Sequence, residues 1–150
     1  MTVPETIQAR LGRQVDVDEY KRIRDLWIAH SKAEDARDLD GLIATLTEDC
    51  VYEIMATGQR WEGHEGARNF YLSFLGAFPD VDFNMYDIVI GPQGVFEVAR
   101  MVGTHQGEWA GIAPTGRKVD MDVLIHFPWD PDVGKFAGEK VYYDRMDFQV

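Results

Sequence analysis

"GTHQGEWAGIAPTGRKVDMDVLIHF", residues 103–127, is the stretch that decides the fold. Its second half alternates. Val119, Met121, Val123, Ile125 and Phe127 fall on one side, and Asp120, Asp122, Leu124 and His126 on the other. That period of two is what a strand with unlike faces requires. The connector "IAPTG" (112–116) is short, and its Pro-Thr-Gly corner reverses the chain, so the segments before and after it are expected to pair antiparallel. Gly103, Gly107 and Gly111, each four residues from the next, are expected to let the sheet bend.

Outward from this stretch, "DFNMYDIVI" (82–90), "GVFEVARMVGTHQGEWAG" (94–111), "RKVDMDVLIHF" (117–127) and "KFAGEKVYYDRMDFQV" (135–150) read as four strands. The turns "GPQG" and "PWDPDVG" complete the meander. Before Pro79 the pattern is helical. "DVDEYKRIRDLWIAHSKAEDARD" starts at an Asp cap, Asp16 or Asp18, and puts Tyr20, Ile23, Trp27, His30 and Ser31 on one face. "DLDGLIATLTED" predicts a second helix with Leu39, Leu42, Ile43 and Leu46 inside, and "HEGARNFYLSFLGAF" a third. Two short strands, "CVYEIM" and "QRWEG", lie between those two. Residues 1–15 are expected to form a flexible N-terminal arm and residues 16–150 a single domain. Helices first and strands afterwards is an α+β pattern, with helices laid on one face of a curved antiparallel sheet.

Composition narrows the partners. The net charge of −11 repels phosphate, which argues against nucleic acid. No apolar run is long enough for a membrane span, and the opening residues lack an apolar core, so no secretion signal is expected. The one cysteine, Cys50, excludes an internal disulfide and reads as a small buried residue, so a cytoplasmic address is expected. No pair of histidines or cysteines has metal-ligand spacing, and no glycine-rich strand-to-helix loop offers a nucleotide site, so neither metal nor cofactor is expected.

The combination of "DLDGLIATLTEDCVYE", "WEGHEGARNFYLSFLGAFPD", "GTHQGEWAGIAPTGRKV", an "HF" strand and a last strand ending "YYDRMDF" resembles the SnoaL-like polyketide cyclases, or ester cyclases, of the NTF2-like superfamily. The resemblance implies a cone in which three N-terminal helices close a strongly curved antiparallel sheet over a pocket. It also implies a homodimer or higher homo-oligomer formed through the sheet. Characterised cyclases of this kind close rings by intramolecular aldol condensation, without metal or covalent intermediate. By strand position, the resemblance puts their essential Asp at Asp144 and a helping His at His126.

The residues themselves offer a similar pair. Lys140, Tyr142, Asp144, Met146 and Phe148 share the more apolar face of the last strand, so that face is expected to be the inner one. A carboxylate there would be desolvated and usable as a base near neutral pH, with His126 splitting the acid and base roles if it points inward. The plainer readings are an Asp in a salt bridge or at the rim, and a His satisfied by backbone. His105, flanked by glycines, and His30, on the inner face of the first helix, could line a pocket or be satisfied core residues. Tyr20, Trp27, Tyr52, Trp61, Phe74, Trp109 and Tyr142 could line a flat apolar cavity or simply build the core.

The expected function is therefore cofactor-free acid/base chemistry on a hydrophobic carbonyl compound, as an aldol-type cyclase or a related lyase or isomerase. The alternatives are a non-catalytic binding protein for a hydrophobic metabolite, or another NTF2-like activity such as a dehydratase, isomerase or epoxide hydrolase.

Overall fold

A computed structural model describes residues 5–145. Four helices and six strands follow one another as α1 (Glu5–Leu11), α2 (Val17–Asp35), α3 (Leu39–Ala44), β1 (Leu46–Ile54), β2 (Gln59–Glu62), α4 (Gly63–Ala77), β3 (Asp82–Gly91), β4 (Gly94–Thr104), β5 (Lys118–Asp130) and β6 (Lys135–Tyr142). The strands form one curved, unclosed sheet in the order β2-β1-β6-β5-β4-β3. All neighbours are antiparallel except β1 and β6, which run parallel. The helices pack against this sheet in the α+β arrangement expected.

Local chemistry sets the boundaries. Asp16 caps α2 by accepting from the Glu19 N–H at 2.8 Å, and Asp38 caps α3 through the Gly41 N–H at 3.0 Å. The second helix is shorter than expected. It ends at Ala44, and Leu46, read as its last inward residue, instead opens β1. Thr45 and Thr47 are β-branched, and both are buried where the chain turns from helix to sheet. Inside the predicted arm, Glu5–Leu11 forms a short helix, and the Gln93 side chain donates to the Arg10 carbonyl at 3.2 Å.

The core lies between the helices and the inner sheet face. On β5, Val119, Met121, Val123, Ile125, Phe127 and Trp129 all point in, as the alternation required. Cys50 is buried on β1, and burial pushes its thiol up to about 11.

Of the three glycines expected to let the sheet bend, only Gly103 lies in a strand. β4 runs through Gly103 and ends at Thr104. Gly107 lies in the loop that follows, where the N–H groups of Gln106 and Gly107 both donate to the Ala77 carbonyl at the end of α4, at 2.8 and 3.2 Å. A Cβ on Gly107 would come within 2.7 Å of the Gly76 carbonyl oxygen, so a glycine permits that close approach.

Candidate active site

The sheet and helices enclose an open, mainly apolar cavity with about 670 Å³ of empty space, its mouth included. One wall is α4, through Phe70, Tyr71 and Phe74; the opposite wall is the inner face of β4, β5 and β6, through Met101, Met121, Val123, Ile125 and Val141. Trp109 closes one side, packed edge-on to Phe70 and Phe74. Five charged or hydroxyl-bearing groups interrupt this lining: Glu34, Arg37, Tyr71, Glu139 and Tyr143.

Behind Glu139 lies a buried polar network. Tyr71 donates its hydroxyl proton to Glu139 Oε2 at 2.5 Å. That proton is thereby used, so in the 3.0 Å contact between the two tyrosine hydroxyls Tyr52 is the donor. His30 Nε2 stands 3.2 Å from the Tyr71 oxygen, 3.3 Å from Glu139 Oε2 and 3.9 Å from Glu34 Oε2. The Thr45 hydroxyl donates to the Leu42 carbonyl at 2.7 Å, so at 2.7 Å from His30 Nδ1 it accepts the ring N–H. That bond fixes the tautomer and turns Nε2 toward the carboxylates. The edges of Phe127 and Phe136 hold the imidazole in place.

The sequence folds this way for local reasons. His30 and Glu34 are four apart on α2 and share a face. Tyr52 on β1 is the register partner of Glu139 on β6. Gly138, at φ +119°, lets β6 lie against the Val51 backbone, where any side chain would collide. A third carboxyl, Glu97 on β4, is buried on the same sheet face and accepts from Trp27 Nε1 at 3.0 Å.

Crowding of acids sets the electrostatics. Burial, then the charge of Glu139, pushes Glu34 up to about 8, against a smaller lowering by His30. Burial and Glu139 likewise push Glu97 up to about 8. Both therefore carry a proton at neutral pH. The Tyr52 and Tyr71 hydroxyls are raised well above the usual range, chiefly by burial, and stay protonated. Donor atoms of His30, Glu34 and Glu139 lie within 4.8 Å of one another, compact enough to hold a cation. The same three side chains are already engaged in the hydrogen bonds and close contacts above.

The expected site residues divide. Phe74 and Trp109 line the cavity, while Tyr52 and His30 form the network behind it. Trp61 backs the cavity, stacked on Trp109 at 6.3 Å, and Trp27 orients Glu97. His105 is buried elsewhere: its ring stacks on Phe78, Nδ1 lies 3.2 Å from the Thr115 hydroxyl, and its backbone pairs with Gly116 and Arg117 to close the loop. Tyr20 is 38% exposed in a small separate surface depression with Val15 and Pro92.

The faces of the last strand are the reverse of those expected. Glu139 and Val141 are buried, and Tyr143 beyond them lines the cavity, whereas Tyr142 is 41% exposed. The register explains the inversion. Ile125 pairs with Val141 on the inner face, which leaves His126 beside Lys140 on the outer one. There the His126 ring stacks on Phe96 at 4.0 Å, and burial lowers its pKa. Asp144 is exposed, two residues past the end of β6. Met146 and Phe148 lie outside the described residues. His126 and Asp144 thus do not meet in the cavity; Tyr71, Glu34 and Glu139 do, with His30 behind them.

Sequence reasoning missed Tyr71, Glu34, Glu97 and Glu139. A signal was present for Glu34, in the His30-x-x-x-Glu34 spacing on a helix.

Comparison with known proteins agrees with this architecture. No curated protein matches the chain in sequence. Among solved structures, a protein assigned as a SnoaL-like polyketide cyclase from Jannaschia sp. CCS1 superposes with a TM-score of 0.77 at 19% identity, covering 91% of this chain and 95% of that one. IdmH from Streptomyces antibioticus, assigned as a polyketide cyclase, gives 0.65 at 23% identity over 85% of this chain and 99% of its own. TerC, co-crystallised with polyporic acid, gives 0.67 at 12% identity over 85% and 95%. These likenesses show the NTF2-like fold. The family model for SnoaL-like polyketide cyclases matches residues 19–149, and the chain belongs to that family.

Proposed function

We propose that the chain is a small-molecule enzyme that performs cofactor-free acid/base chemistry on a hydrophobic carbonyl compound, an aldol-type cyclisation or a related lyase or isomerase step. The observation that carries this reading is the placement of Glu139 and Tyr71, hydrogen-bonded at 2.5 Å, in the wall of an otherwise apolar cavity, with His30 directly behind them. Family membership and the IdmH-like fold support the reaction class.

In this scheme Glu139 takes a proton from a carbon next to a carbonyl, and the electron pair moves to the carbonyl oxygen. Glu34, protonated near neutral pH, donates a hydrogen bond to that oxygen. His30 Nε2 can accept the captured proton while Nδ1 stays with Thr45. The enolate carbon then attacks a second carbonyl of the same molecule, and the new alkoxide is reprotonated by the same carboxyl groups. Positioning supplies the remainder of the rate.

A direct test needs no knowledge of the natural substrate. Deuterium uptake into the acidic CH₂ of 2-tetralone in D₂O, followed by NMR, should run faster with the protein than with buffer. Glu139→Gln should slow it by about 10²–10⁴-fold, the usual worth of a general base, while leaving tetralone binding intact. Asp144→Asn is the competing variant. If it abolishes exchange and Glu139→Gln does not, the base is Asp144. If the wild-type protein binds tetralone without exchanging it, the chain is a binding protein, a reading that the existing hydrogen bond from Tyr71 to Glu139 favours.

A further inference from the structure

Among the described residues that line the cavity, Arg37 is the only cation. It is itself exposed, which places it at the opening. It sits just past the end of α2, in a turn where the N–H of Arg37 reaches the Glu34 carbonyl at 3.0 Å and that of Asp38 the Ala33 carbonyl at 2.8 Å. Its φ of +57° is the left-handed conformation that glycine usually supplies at this place. The side chain is anchored on one edge only, by Nη2 donating to the Val81 carbonyl at 2.9 Å. Among the described residues no carboxylate forms an ion pair with it, although the chain carries 26 acidic residues.

The two ends of the cavity therefore differ in sign. The network end holds Glu139 with Glu34 and Tyr71, and repels an anion; the opening holds a guanidinium with donors to spare. On a protein of net charge −11, a local cation offsets the repulsion that an anionic ligand meets.

We propose that Arg37 is the recognition site for an acidic group of the substrate, a carboxylate or an ionised enol, so that the substrate is an amphiphilic acid. Its flat apolar body lies between Phe74, Trp109 and Val123, its carbonyl faces Glu139, and its anion stays at the opening. This rests on the cavity being the reaction site, as proposed above, and adds the class and orientation of what enters it. Arg37 is a specificity residue in this scheme and takes no part in proton transfer.

The test compares two probes of similar shape, 2-naphthoate and the neutral 2-acetylnaphthalene, titrated by calorimetry and by tryptophan quenching. Wild type should bind the naphthoate about tenfold more tightly, and 0.5 M salt should erase most of that preference. Arg37→Gln should weaken naphthoate about tenfold and leave the ketone within twofold. Arg37→Asn, whose side chain tolerates the left-handed backbone, should do the same and guards against a folding defect. Equal affinity of wild type for the two probes, or equal losses of both in the variants, overturns the role of Arg37 while leaving the tetralone exchange result standing. Failure of wild type to bind either probe overturns both this inference and the cavity reading.

Discussion

Replacing Tyr71 by Phe removes one oxygen and tests the whole buried network. That oxygen gives its proton to Glu139 at 2.5 Å and accepts from Tyr52 at 3.0 Å, with His30 Nε2 at 3.2 Å. Its loss strips a buried carboxyl of a charge-assisted donor, about 1.5–3 kcal/mol, and takes from the Tyr52 hydroxyl one of its two partners, about 1 kcal/mol, with Glu139 left beside it. Partial relaxation recovers some of this, so Tyr71→Phe should cost about 2–4 kcal/mol in urea unfolding, or about 6–12 °C of melting temperature for a domain of this size. Tyr52→Phe removes only the end of the chain of hydrogen bonds and should cost about 1 kcal/mol. The double variant should cost less than the sum of the two single changes, because both remove the same hydrogen bond between the two hydroxyls. Additive losses, or a Tyr71→Phe cost within about 0.5 kcal/mol of Tyr52→Phe, would show that the tyrosines do not act as one network.

Two further expectations concern the raised carboxyls and the glycines. Glu34 faces His30 and Asp35 on α2, Glu139 from β6 and Glu97 from β4, while Glu97 faces Glu139 and Trp27; each holds its proton to about 8 in the folded chain, against 4.5 as the ordinary value. Between those two values the folded state binds more protons than the unfolded one, so these groups make stability fall as pH rises through that window. Glu97→Gln should therefore gain stability over wild type at pH 9 and not at pH 4; a difference independent of pH, measured by urea unfolding, would refute the shift. Gly107→Ala should lower the melting temperature by several degrees, because its Cβ would meet the Gly76 carbonyl oxygen at 2.7 Å. Gly76→Ala, with open space around its Cβ on α4, should raise it slightly, and the same sign for both would refute the packing argument.

Much of the fold was legible in the sequence because its signals are local. Asp16 caps, the Val119–Phe127 alternation and the Gly91-Gly94 turn each act over a few residues, and each sits where the pattern put it, whereas the connection through Pro114 starts earlier than expected, after Thr104. The parallel pairing of β1 with β6 was not legible. It joins residues about ninety positions apart and depends on Gly138 accepting the Val51 backbone, which no window of sequence reveals. The end of α3 failed for a related reason: Leu42, Ile43 and Leu46 suit a helical stripe, yet Leu46 is spent on the register with Phe136.

The inner face of β6 was misread because patterning sorts residues by polarity, and on this strand the polarity is inverted. On β6 the rule that apolar residues go inside chose the row of Tyr142 and assigned Glu139 to solvent. The fold does the opposite, since Val141 must follow Ile125 inward and Glu139 goes with it. A buried Glu is tolerable only when donors meet it: Tyr71 from α4 donates directly and Tyr52 from β1 supports Tyr71, while His30 Nε2 from α2 stands 3.3 Å away. None of these partners is adjacent in sequence, so Glu139 looks like a surface residue until the cone is closed. The strand that breaks the binary pattern is thus the one that carries the candidate base, and the cost of burying its charge is the physical reason to look for function there.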